Sequence, residues 1–125
     1  MSRKYQDTIH VIDSATATET SQPINIEDAT SITLVFKRSD HSSGSTAFTV
    51  TVSVDGTNFI AYNKLIDNVT NSNAQQLTRV ASSSLASNTT KFYTMDLSCD
   101  TFKEIKVTAT QTTDGTHDAW LCIQR

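Results

Sequence analysis

Glycine, proline and cysteine are all scarce in this chain, whose 125 residues hold three Gly, one Pro and two Cys. Three glycines cannot furnish a Gly-rich loop that cradles a phosphate, and neither G-x-S-x-G nor H-E-x-x-H occurs. Cys99 and Cys122 lack a Cys-x-x-Cys or Cys/His neighbour pattern, so no zinc site is expected. They read as free thiols, although two strands could bring them together. No apolar run approaches the roughly 18 residues of a membrane-crossing helix. The N-terminal MSRKYQDT lacks the apolar core of a signal peptide, so synthesis in the cytoplasm is expected. Charge is sparse as well, at 18% of residues with a net charge of −3. Phosphate binding needs clustered cations, whereas Arg3-Lys4 and Lys37-Arg38 are isolated pairs that read as a solvated terminus and a solvated strand end. Neither a nucleic acid nor a membrane is expected as a partner.

What the chain has in quantity is small hydroxyl side chains: 15 Ser and 21 Thr. Thr suits a pleated sheet because its branched Cβ packs against neighbours while its hydroxyl faces water. Both residues compete with a helix for backbone hydrogen bonds, so long helices are not expected. The clearest local signal is Ser45–Tyr62, STAFTVTVSVDGTNFIAY. Phe48, Val50, Val52 and Val54 alternate with Thr49, Thr51 and Ser53, then Asp55-Gly56 breaks the run and Phe59, Ile60 and Tyr62 resume it. Period-2 alternation on both sides of Asp-Gly predicts a β-hairpin.

Other strands are predicted at Thr8–Asp13, with Ile9 and Val11 inward, at Pro23–Ile26, and at Ser31–Lys37, with Ile32, Leu34 and Phe36 inward. After Tyr62 the pattern weakens: Lys64–Val69 is a short strand or a loop, Leu77–Ala81 a further strand, and Ser82–Thr90 (SSSLASNTT) a projecting loop. Regular alternation returns at Lys91–Leu97 and Phe102–Thr110. Asp114-Gly115 makes a second turn, and His117–Gln124 closes the chain.

About eight strands at regular spacing predict one all-β domain over residues 1–125, an antiparallel sandwich or a jelly roll, with residues 1–6 available as an N-terminal arm. Its expected core is Ile9, Val11, Ile32, Leu34, Phe36, Phe48, Val50, Val52, Val54, Phe59, Tyr93, Met95, Leu97, Ile105, Val107, Leu121 and Ile123. Trp120 and Cys122 fall on the face opposite Leu121 and Ile123. The last strand is therefore either buried on both faces or packed on another subunit.

The sequence holds no recognisable constellation of reactive groups. His10, His41 and His117 are the candidate imidazole bases, and the nearest constellation is His117-Asp118 with Cys122. On a strand His117 and Cys122 point to opposite faces, so His117 reads as a strand-end histidine. Asp55, Asp96, Asp100 and Asp114 lack the dense spacing of a calcium loop and read as turn formers. No catalytic residue, metal or cofactor is expected.

Val50–Ile60 (VTVSVDGTNFI), the strands KFYTMDLSCD and FKEIKVTATQTTDG and the terminal Trp strand resemble the small β-sandwich proteins of tailed-bacteriophage virions. The resemblance implies a non-enzymatic virion protein, foremost a capsid decoration (cement) protein. It implies a homo-oligomer, a trimer by analogy, that contacts the major capsid protein or other virion proteins. A tail or fibre component, or a glycan-binding adhesin module, is the alternative. Candidate interface residues are Arg3, Lys4 and Tyr5 in the arm, with Tyr62 and Trp120 as aromatic platforms.

Overall fold

A computed structural model of the protein describes residues 6–67, 79–95, 97 and 101–125. Every regular element among them is a strand: β1 (Gln6–Ala15), β2 (Glu19–Thr20), β3 (Ile24–Asn25), β4 (Ser31–Ser39), β5 (Thr46–Ser53), β6 (Ile60–Ala61), β7 (Leu65–Asp67), β8 (Arg79–Val80), β9 (Ser82–Leu85), β10 (Thr89–Met95), β11 (Glu104–Gln111) and β12 (Thr116–Gln124). The two-residue β3, β6 and β8 fall within the strands predicted at Pro23–Ile26, Phe59–Tyr62 and Leu77–Ala81, whereas β2 is too short to leave a periodic trace and β9 lies in a stretch that reads as a loop.

All pairings are antiparallel. The larger sheet runs β1-β12-β4-β10-β7-β8. The smaller runs β2-β11-β5-β6, with β3 extending the β11 edge and β9 extending the β5 edge. The predicted hairpin is present, with Thr51 opposite Ala61 and Val52 opposite Ile60. Alternating apolar side chains on facing strands meet in one core, where Phe36 of the larger sheet stacks on Phe48 of the smaller with centroids 4.6 Å apart. The Tyr93 hydroxyl joins the sheets from the other direction, donating to Ser83 Oγ at 2.7 Å.

Several expectations are corrected by the structure. Simple alternation puts Ile9 and Val11 inward, but Val11 is an extra residue against β12: His10 faces Trp120 and Ile12 faces Ala119. This bulge advances the strand by one position, so Ile12 is fully buried while Ile9 and Val11 are partly covered. Val54 is 70% exposed, because β5 ends at Ser53 and the Asp55 turn carries the next residue outward. Phe59 lies on the outside, half-buried, with Lys106 Nζ 4.1 Å from its ring centroid. Ser82–Leu85 is not a projecting loop but β9, paired with β5 and burying Ser83 and Leu85.

Lys37-Arg38 is a solvated strand end only at Lys37. Arg38 is 1% exposed. It continues the inward positions of Ile32, Leu34 and Phe36 and closes one end of the core. Its Nη1 donates to the carbonyls of Gly44 (2.9 Å) and Leu85 (3.2 Å), and its Nη2 to those of Ser43 and Asp114 (2.8 Å each). One side chain thus ties together the loop before β5, the end of β9 and the loop before β12.

Candidate assembly surface

The outer face of the larger sheet is built by cross-strand register. His10 lies opposite Trp120, Trp120 opposite Val35, and Val35 opposite Phe92, on β1, β12, β4 and β10 in turn. All four belong to the outward set of their strands, so they form one row running across the sheet. Phe92 is 50% exposed, and Trp120 and Val35 are half-buried by their neighbours. A parallel row carries Thr8, Cys122, Thr33 and Thr94, with the Cys122 sulfur approached by Gln6 Nε2 at 2.9 Å.

The edge of this face is pinned by β1. Asp118, 7% exposed, accepts the Ser14 N–H at 2.7 Å and a hydrogen bond from His10 Nε2 at 2.9 Å. Those bonds hold the second bulge, between Ile12 and Ala15, where Ser14 takes a φ of 52°. They also fix the imidazole flat on the Trp120 indole, centroids 4.4 Å apart and planes 4° from parallel. His10, Asp13 and Asp118 could each offer one atom to a cation. The Asp118 oxygen among them already accepts two hydrogen bonds, and the arrangement serves the bulge.

Of the expected interface residues, Trp120 occupies the centre of the outer row. Tyr62 is 3% exposed, packed in the core edge-on to Phe102, and offers no platform. Arg3, Lys4 and Tyr5 lie outside the described residues, whereas Gln6 belongs to β1, opposite Gln124. Phe92 and Val35 escaped the sequence reading, although the same alternation that sends Tyr93 inward sends Phe92 outward. Among the described residues, large apolar side chains are also exposed at the hairpin end, where Val54 and Ile60 (64% exposed) flank Phe102. Phe102 borders four adjoining clefts of roughly 200 to 320 Å³, at or below the lower end of small-molecule pockets at about 300 Å³.

Among the described residues, His117, His41 and Asp55 also have structural bonds. His117 is inward and fully buried, its Nε2 2.8 Å from the Ala17 carbonyl oxygen, while Cys122 faces outward. His41 Nδ1 meets Asn88 Oδ1. Asp55 collects the amides of Asn58 and Thr57, the Asn58 side chain and the Ser53 hydroxyl. These donors hold its carboxyl far below the usual range and stabilise the hairpin turn, where Gly56 adopts a φ of 82°. Asp96, Cys99 and Asp100 lie outside the described residues.

Asp114 plays the corresponding part in its own turn. The Ser42 hydroxyl, then the Ser42 and Ser43 amides, and last the Arg38 guanidinium lower its carboxyl from 3.8 to about 2. A depressed folded-state value contributes stability that is complete above the unfolded value and is lost as pH falls through the folded one. Acid titration between about pH 4 and pH 2 is therefore expected to loosen the Ser42–Asp114 junction. The Ser42 amide resonance should titrate with a midpoint near 2, a step that Asp114→Asn removes; a midpoint near 4 would mean that the carboxylate is not so held.

The fold has known counterparts. Along 100% of its length the chain superposes on 97% of the SPBc2 prophage-derived protein YomS, with a TM-score of 0.70 and 11% identity. It covers 86% of a subunit of Bacillus endospore appendages, described as disulfide-linked pili, with a TM-score of 0.51 and 11% identity. A structure of infectious bursal disease virus, Gx strain, matches over 32% of its chain at a TM-score of 0.48 and 16% identity, too distant to weigh. No protein-family model matches the chain, and no curated protein matches its sequence. At such identities the shared property is the antiparallel sandwich itself.

Proposed function

We propose that the protein is a structural component of a bacteriophage virion: a non-enzymatic capsid decoration protein that works as a homo-oligomer, a trimer, and binds the major capsid protein or its neighbours. The observation that carries this reading is the outer row of Trp120, Val35 and Phe92. A two-layer sandwich has one interior, and apolar side chains aligned on its open face are stabilised when a further protein surface covers them. The fold shared with a prophage-derived protein over the whole chain supports the viral context. The structural bonds made by His10, His41 and His117 support a role without chemistry.

The test is sedimentation of the wild type beside Phe92→Lys and Trp120→Ala, alone and mixed with empty phage shells. The wild type is expected to be oligomeric and to co-sediment with shells. Phe92→Lys is expected to weaken association by at least about tenfold, because it sets a charge within an apolar contact. A monomeric wild type that ignores shells but is retained on a glycan surface would replace this reading with that of an adhesin.

A further inference from the structure

Four buried polar atoms among the described residues have no protein partner: Arg38 Nε, Thr46 Oγ1, Gln111 Oε1 and His117 Nδ1. They lie together. Arg38 and His117 are register partners across β4 and β12, and Thr46 and Gln111 are register partners across β5 and β11. Thr46 is also opposite Leu85, whose carbonyl accepts from Arg38 Nη1. The Ala17–Thr18 segment links the remaining two, its Ala17 carbonyl meeting His117 Nε2 and its Thr18 hydroxyl accepting the Gln111 amide. The two register pairs, one on each sheet, are therefore joined through Leu85 on one side and Ala17–Thr18 on the other, at one end of the core.

Their polarities are complementary to a single small molecule. A carbonyl can only accept, so the His117 nitrogen facing Ala17, Nε2, carries a hydrogen; in the neutral tautomer that this requires, Nδ1 is the acceptor. Gln111 Oε1 is a second acceptor. Arg38 Nε–H and the Thr46 hydroxyl are two donors. Two buried donors and two buried acceptors at the same end of the core match one water molecule, which accepts twice and donates twice. Buried polar groups that the protein leaves unpaired are ordinarily satisfied in this way.

We propose that Arg38, Thr46, Gln111 and His117 form an internal hydration site holding one long-lived water molecule that bridges the two sheets. This site lies apart from the outer row and does not depend on the assembly proposed above. It supplies the fifth N–H of the Arg38 guanidinium with its partner and orients the His117 ring from the side opposite Ala17. Water-¹⁷O relaxation dispersion counts such molecules, and Thr46→Val removes one ligand while keeping side-chain shape. The wild type is expected to show a dispersion amplitude larger by one long-lived water than the folded variant. The ¹⁵N spectrum of neutral His117 is expected to show the Nε2–H form, with a water cross-relaxation peak at its ring. Equal amplitudes in wild type and folded Thr46→Val, or a His117 ring protonated on Nδ1, would overturn the site. Should the variant not fold, absence of the wild-type water peak at His117 would overturn it and its presence would support it.

Discussion

Arg38→Met is expected to lower the free energy of unfolding by about 3–5 kcal/mol, the scale found when one partner of a buried charged network is removed. Methionine fills much of the same space but donates no hydrogen bond. The carbonyls of Ser43, Gly44, Leu85 and Asp114 then lose the donor they share. Leu85 O suffers most, since its bond to Arg38 is the buried one of the four and water cannot readily replace it. Urea unfolding at neutral pH measures the effect. A loss below about 1 kcal/mol would mean that the loop carbonyls are satisfied without the guanidinium. Lysine should not rescue, because one ammonium cannot reach four carbonyls that a planar fork serves from two sides.

Val52→Asp is expected to cost about 4 kcal/mol or more and to lower the melting temperature by roughly 10–20 °C. Val52 is 1% exposed between Ile60 and Ile105 of the neighbouring strands, so the new carboxylate would be stripped of water. Val54→Asp, two residues further on, is expected to change stability by no more than about 0.5 kcal/mol, because Val54 is 70% exposed. The pair is diagnostic as a contrast. Similar melting temperatures for the two variants would mean that β5 runs on through the turn with its alternation intact.

That contrast also marks where alternation in the sequence stops being informative. Phe48, Val50, Val52 and Val54 look equivalent as letters, and three of them are core. The fourth is not, because Asp55 draws the chain into its turn through bonds to Thr57 and Asn58. β4, β5, β10, β11 and β12 were legible because each turns one face to the core over seven or more residues. The bulge at Val11 was not, since an extra residue exists only relative to the partner strand. Strand β9 was hidden by composition: SSSL reads as a loop until Ser83 finds Tyr93 and Leu85 finds the core. Arg38 was obscured by its charge, although its place two residues after Phe36 pointed inward. The Trp120 half of the outer row was visible as a second apolar face on β12. Phe92 and Val35 joined it only once register placed their strands side by side.

The two bulges in β1 bear on how copies of this molecule can meet. As the outermost strand of the larger sheet, β1 turns a line of backbone N–H and C=O groups toward solvent, a ready template for strand-by-strand polymerisation. Extra residues at Val11 and again before Ala15, with Ser14 in a left-handed conformation, break that line into short pieces whose hydrogen-bonding directions no longer agree. Uncontrolled edge-to-edge growth into fibres is blocked on that side at the level of the backbone, whatever the side chains. Contacts made through the flat outer face carry no such risk of endless propagation when they close on themselves in a symmetric ring.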